Sequence, residues 1–218
     1  MKRSIKLICL LSFIFFFGNF KNVSAQTLKE FFATSEVSLT YLGIDFTKAK
    51  LINYPNPDPM DIRNRLYNSI NDVVINEPKK YDIAGAFHKS TVTSDLSAVK
   101  ERNAKINAED IVSTNTADFS RLKDADITSA VKALNFSAKK GIGLLFVMEA
   151  MRKDDKKGDA AVWAVLLDLS SKKVLISERL EVKANGFGFR NYWASTIKEA
   201  LDEISDKKYK EWKKKNSE

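Results

Sequence analysis

The chain holds a single histidine, His88 in "GAFHKST", and Ser90 follows two positions later. A histidine base within reach of a serine hydroxyl is the centre of acyl-transfer chemistry, provided both side chains face one cleft. No G-x-S-x-G elbow presents a nucleophile, so a serine hydrolase would rest on His88 as general base beside Ser90. Zinc at His88 would need carboxylate partners, and no spacing marks them. Acid pairs stand at Glu109–Asp110, Asp124 with Asp126, and Asp154–Asp155. Two carboxylates held across a cleft can hydrolyse a glycosidic bond. Each of these pairs, however, sits beside basic residues in a turn or helix start, where acids cap and solubilise. "DDKKGD" lacks the alternating oxygen ligands of a calcium loop. "NFS" at Asn135 matches a glycosylation sequon, but it falls on a predicted helix and needs a eukaryotic secretory route. No metal and no cofactor is expected, and the shortage of catalytic parts weighs against an enzyme.

The run "NGFGFRNYW", Asn185 to Trp193, gathers two glycines, two phenylalanines, an arginine, a tyrosine and a tryptophan. G-x-G-x-x-G cradles a pyrophosphate when it follows a parallel strand and opens a helix. Here asparagine replaces the third glycine, and the preceding strand belongs to a meander, which argues against nucleotide binding. Gly186 and Gly188 permit positive φ at a strand-to-helix corner, and Asn185 or Asn191 can cap. Phe187, Phe189 and Trp193 are expected to pack the helix onto the sheet. Arg190 and Tyr192, with Trp193, form the candidate partner-binding patch, because aromatic residues and arginine carry a disproportionate share of interface energy.

Charge and address narrow the class further. Lys2, Arg3 and Lys6 precede the apolar run Leu7 to Gly18, and "VSA" ends at Ala25 before Gln26. That arrangement is a cleavable signal peptide over residues 1–25, with an apolar core shorter than the ~20 residues that span a bilayer. Cys9 lies inside the apolar run, where a lipidated cysteine does not belong. The mature chain then has no cysteine, which excludes disulfides, thiolate chemistry and cysteine-ligated metals. Removing residues 1–25 leaves 193 residues and lowers the net charge from +8 to +4. Much of that excess lies in Lys207, Lys208, Lys210, Lys213, Lys214 and Lys215. This basic tail, residues 207–218, can approach an anionic membrane surface; as a solvated helix end, its lysines would instead complement the macrodipole. Nucleic acid is not an expected partner, since no recognisable binding motif is present.

The elements that must position these residues are legible in parts. Glu36 to Ile52 alternates apolar residues as a strand with a bulge at Gly43. "NYPNPDPMD" breaks it, and Asp58–Pro59 opens a helix carrying Ile62, Leu66, Ile70 and Val73 or Val74 on one face. Residues 83–123 read as irregular or insertion-like. A helix over Asp124 to Lys140 closes at Gly141. Three strands follow, Ile142 to Met151, Ala160 to Leu169 and Val174 to Val182, then a final helix lined by Trp193, Ile197, Ala200, Leu201 and Ile204. The expected fold class is α+β. It would be one domain over residues 26–206, its antiparallel or mixed sheet having four to five strands and helices mainly on one face.

This order, with "VWAVLLDLSSKKVLISERLEV" leading to a glycine-containing turn and a helix, resembles bacterial cell-envelope domains. The amino-terminal domain of the Tol-system translocation protein and the curli-secretion lipoprotein are of this type. The matching residues are Leu167, Asp168 and Leu169, then Ser170–Ser171, then Val174 to Ser177; the serines stand where those families favour glycine. The resemblance implies a fold and a role in binding, and it supplies no catalytic residue. The resulting expectation is an exported, non-catalytic periplasmic or secreted accessory protein whose partner is a protein of the envelope. Two alternatives stand beside it: a secreted hydrolase using His88, and a structural accessory on an anionic membrane. The mature protein is expected to begin at Gln26 by amino-terminal sequencing; a chain retaining Met1, or lipid on Cys9, would overturn cleavage after Ala25.

Overall fold

The computed structural model describes residues 28–154 and 157–216, so the expected signal peptide, Asp155, Ser217 and Glu218 lie outside the described residues. Seven strands form one sheet: β1 Leu39–Asp45, β2 Lys50–Ile52, β3 Val92–Ser94, β4 Val112–Ser113, β5 Ile142–Lys153, β6 Gly158–Asp168 and β7 Lys173–Ala184. β6 pairs antiparallel with β5 along its whole length and then with β7. That leaves one edge of β5 for two successive parallel partners: β1 along residues 142–147 and β2 along residues 150–152. β3 lies beyond β1 and β4 beyond β2, both parallel.

This corrects the expected fold class. The fold is of the α/β type, with seven strands where four to five were expected and with parallel pairing among β1 to β5. The expectation of helices mainly on one face fails as well. Ile142 through Met151 are all buried, and successive strand residues point to opposite faces, so both faces are covered. The apolar runs in β5 and β6 already implied that burial; the parallel strands were hidden because β2, β3 and β4 are only two or three residues long.

A broken strand needs its outer edge completed by something else. The Leu39 amide donates to Thr91 O, and Tyr41 O accepts from Asp95 N; further along, Leu51 N donates to Ile111 O and Asn53 N to Ser113 O. Between these points two buried asparagines stand in for a strand. Asn71 accepts from Ile44 N at 2.7 Å and donates to Ile44 O at 3.1 Å. Asn103 donates to the same carbonyl at 2.9 Å and accepts from Phe46 N at 2.9 Å. Both side chains are essentially excluded from solvent. The register between β1 and β5 shifts by one residue between Tyr41 and Ile44, the bulge expected at Gly43. Gly43 has φ +94°, and a Cβ there would lie 2.6 Å from Leu96 and 2.7 Å from Asn71, so both backbone and space require glycine.

A second bulge directs a charge inward. β5 carries one extra residue, Glu149, between the pairs Met148 with Val162 and Ala150 with Ala161. Its buried carboxylate accepts from Leu122 N at 2.6 Å, Trp163 Nε1 at 3.1 Å and Arg179 Nε at 2.7 Å. Arg179 also donates to Phe119 O at 2.7 Å. Residues 116–122, within the stretch read as irregular, are thereby fixed to the sheet, partly as a 3-10 turn over Thr116–Ser120.

The helices follow the expected faces with shifted bounds. Asp58 caps, with Pro59 in the first turn, a helical run over residues 59–76 that includes a π segment, Ile62–Leu66. The helix expected to reach Lys140 is Asp124–Lys132; Ser137 and Ala138 adopt positive φ, and Asn135 lies in that turn. The region read as irregular holds short helices at Ile83–Ala86 and Ser97–Asn103 as well as β3 and β4. The last helical run covers residues 188–216, with a second π segment at Ile204–Lys208. Replacing Asn103 or Asn71 by alanine orphans buried backbone groups of Ile44 and Phe46. Each change is expected to lower the unfolding free energy in urea by about 1–3 kcal/mol per orphaned group; a loss under about 0.5 kcal/mol would show that the asparagines do not complete the edge.

Candidate functional site

The final helix carries candidate features at both ends. At its start, Ala184 closes β7 and the Asn185 amide donates to Ser195 Oγ at 2.7 Å; that hydroxyl donates to Tyr192 O at 2.7 Å. Gly186 and Gly188 have φ of +107° and +71°, which glycine accepts without steric cost. Between them Phe187 is extended, makes no side-chain cap, and is 93% exposed. It therefore does not pack onto the sheet as the sequence suggested. The packing falls to Phe189, Tyr192 and Trp193 with Tyr54, whose rings meet at centroid distances of 5.0 to 6.3 Å.

The three candidate partner-binding residues divide by exposure. Trp193 is completely buried and serves as the floor of the aromatic cluster. Tyr192 is half-buried, its hydroxyl occupying the space above Gly158. Partial burial, then the nearby carboxylates of Asp154 and Asp159, raise the pKa of its phenol. Lys153 lies 4.8 Å from the Tyr192 ring centroid and 5.4 Å from that of Tyr54, a cation–π arrangement that stiffens both rings. Arg190 is exposed and donates to Asn191 at 3.0 Å.

Two recesses flank this corner. One, about 650 Å³, has Asn53, Arg152, Asp154, Lys157, Lys183 and Asn185 among its walls. Arg152 is fixed there by Asp159, at 3.0 Å from Nε, and by the Phe119 ring 4.1 Å away. The other, about 450 Å³, lies between Phe187, Arg190 and the helical run of residues 59–76, where Arg65, Leu66 and Ser69 form the wall.

The far end of the helix is basic but not free. Lys208 pairs with Glu178 at 2.6 Å, Trp212 Nε1 reaches the same carboxylate at 3.3 Å, and Tyr209 and Trp212 are buried. Lys207, Lys210, Lys213, Lys214 and Lys215 are exposed. The structure brings His88 to this end: its ring lies 4.4 Å from that of Tyr209. Ser90, the expected nucleophile, has its hydroxyl bonded to Glu36 at 3.1 Å. His88 and Ser90 thus serve different neighbours. Lys89 between them is buried, donating to Phe31 O and, at 2.8 Å, to Thr34 O, so that it caps the helix Leu28–Ala33.

Four of these acids have structural duties. Asp124 accepts from Ser177 at 2.6 Å, Asp126 from Lys123 N at 2.9 Å, Asp110 from Asn107 at 3.2 Å, and Asp154 from Lys157 N at 2.7 Å. Among the described residues no three histidine, cysteine or acidic side chains gather to hold a metal ion. No described helix is long and apolar enough to cross a membrane. Sequence reasoning passed over Glu149, Asn71, Asn103 and the exposure of Phe187. The signal for Glu149 was present, a lone charge inside the apolar run "LLFVMEAM".

Comparison with protein-family models and with curated proteins returned no match. Among solved structures, the chain is similar to the PelC dodecamer from Paraburkholderia phytofirmans at 13% identity, with 77% of this chain and 88% of that chain covered and a TM-score of 0.34. It is similar to the lipoprotein GNA1162 from Neisseria meningitidis at 12% identity, 78% and 98% coverage, and a TM-score of 0.33. Protein XCC0632 from Xanthomonas campestris aligns at 10% identity, 81% and 82% coverage, and a TM-score of 0.32. These are not the Tol-system or curli-secretion domains that the sequence resembles, and likeness at this level assigns neither family nor function.

Burial, followed by the positive charge of Lys213, lowers the Lys89 pKa to about 8. Between that value and the ordinary lysine pKa of about 10.5, the folded chain has shed a proton that the unfolded chain keeps, so this group adds stability as pH rises. Below about 8 its burial cost is present in full. Denaturation from pH 7 to 10.5 is expected to show this rise in the difference between wild type and Lys89→Met; a pH-independent difference would contradict it.

Proposed function

We propose that the chain is an exported, non-catalytic accessory protein of the cell envelope that holds a protein partner at the strand-to-helix corner. One observation carries this reading: Phe187 stands 93% exposed between two positive-φ glycines. Among the described residues Phe187 and Met60 are the large apolar side chains left exposed, and covering the Phe187 ring would remove apolar surface from water. Its surroundings suit a protein interface, where an aromatic anchor is ringed by polar groups. Arg190 lies three residues on, and the two recesses provide walls for flanking side chains. The buried Trp193 and the half-buried Tyr192 hold the corner rigid, so that little conformational entropy is lost on docking.

A hydrolase at His88 finds no support in the geometry, since the Ser90 hydroxyl is engaged by Glu36 and the imidazole stacks on Tyr209. A photoreactive phenylalanine analogue at position 187, activated in the native envelope, is expected to yield one discrete protein adduct. The same analogue at exposed Asp202 should yield none. Adducts at both positions, or at neither, would overturn the reading. Phe187→Ala with Arg190→Ala should abolish association with the identified partner while leaving the thermal midpoint unchanged.

A further inference from the structure

β7 forms an edge of the sheet. It is bonded to β6 on one side, and its other side meets no strand. Elsewhere the sheet ends on β3 and β4, of three and two residues, whereas β7 has twelve. A long edge of unpaired N–H and C=O groups invites another strand, and proteins blunt such edges with bulges, proline or covering segments. A bulge lies near the start of β7, where the register to β6 shifts and Leu175 is skipped. From there Ile176 through Ala184 pair one for one with Leu166 through Gly158, and the stretch holds no proline. Among the described residues no backbone bond joins it to anything but β6. Its side chains alternate between two faces. Leu180 and Val182 are buried, and Glu178 is held against the last helix by Lys208 at 2.6 Å and Trp212 at 3.3 Å. Ser177, Arg179, Glu181 and Lys183 share the other face. There Arg179 donates to Glu149, Glu181 and the Phe119 carbonyl, using three of the five N–H groups that a guanidinium offers, and Glu181 is exposed.

We propose that a second copy of the chain adds its β7 antiparallel to this edge, about a two-fold axis at Leu180. Such an axis sets one residue opposite itself and pairs the others symmetrically around it. Leu180 is the midpoint of the regular stretch, so an axis there engages every residue from Ile176 to Ala184 in both copies. It places Arg179 of each copy opposite Glu181 of the other, and Ser177 opposite Lys183. Opposite charges that face each other across an antiparallel pair are favourable, and like charges are not. Moving the axis by one residue, to Arg179 or to Glu181, sets that charge against its own counterpart. With the axis at Leu180, the Arg179–Glu181 pair within each chain joins its counterpart, so four charges alternate around the axis. On the face covered by the last helix, Ile176 meets Ala184 and Glu178 meets Val182. The pairing adds about eight backbone hydrogen bonds and joins the two sheets into one. Phe187 and Arg190 follow the end of β7 and take no part in it.

Sedimentation equilibrium of residues 26–218 over a range of protein concentrations is expected to show a reversible monomer–dimer equilibrium. Glu181→Arg sets arginine against arginine twice in each dimer. It should weaken association by about tenfold or more, with the circular dichroism spectrum unchanged because residue 181 is exposed. A chain beginning at Gln26 contains no cysteine, so introduced pairs can read the register. Ser177→Cys with Lys183→Cys in one chain should crosslink two copies on oxidation, because opposite residues bring their Cβ atoms to about 5 Å, near the reach of a disulfide. Either substitution alone should give no crosslink. Phe187→Ala with Arg190→Ala should leave the dimer intact, which separates this surface from the corner. A chain that stays monomeric up to its solubility limit would overturn the proposal. So would a dimer unaffected by Glu181→Arg, one that crosslinks through Ser177→Cys alone, or one lost with the Phe187 and Arg190 substitutions.

Discussion

Between the last bond that β3 makes to β1 and the first that β4 makes to β2, the edge of Ile44 and Phe46 turned away from β5 faces the interior with no strand beside it. A buried amide or carbonyl without a partner costs as much as a lost hydrogen bond. Asn71 and Asn103 remove that cost by presenting an amide N–H and C=O where a strand would. Each asparagine belongs to a helix, so the bonds also fix the helices of residues 59–76 and Ser97–Asn103 to the middle of the sheet. Gly43 completes the device, because any side chain there would strike Asn71, Leu96 or Val99.

The candidate site depends on this constraint. The helix of residues 59–76 supplies Arg65, Leu66 and Ser69 to the recess beside Phe187, and its docking on β1 sets where that wall stands. Tyr54, just before the helix, closes the aromatic cluster under the corner. On another part of the sheet, the Glu149 bulge does for residues 116–122 what the asparagines do for β1. A charge is directed inward, satisfied by three donors, and used to hold an irregular segment. Phe119, gripped in this way, in turn lies 4.1 Å from Arg152 and steadies a wall of the larger recess.

The legible parts of the fold were those with long periodic signals. Trp193, Ile197, Ala200, Leu201 and Ile204 are all buried on the final helix, and β5 to β7 lie where uninterrupted or alternating apolar runs placed them. The bulge at Gly43 was readable because glycine interrupted an alternating strand. The parallel partners were not, because a strand of two or three residues carries no period, and Val112–Ser113 looks like any loop. Nor can a sequence distinguish Asn71 and Asn103 from surface asparagines, since their roles exist only once the strand between them is broken. Phe187 misled for the opposite reason. Aromatic residues near a helix start are usually packing residues, and only the two flanking positive-φ glycines turn this one outward.

The corner at the start of the last helix rests on a sheet in which the outer edge of β1 is completed by side chains. Amide hydrogen exchange at Ile44 and Phe46 tests that dependence most directly. Both amides are expected to exchange as slowly as those of β5, through global unfolding, although no strand bonds them. Exchange at the rate of the exposed turns, with β5 still protected, would show that the asparagines do not hold the edge closed.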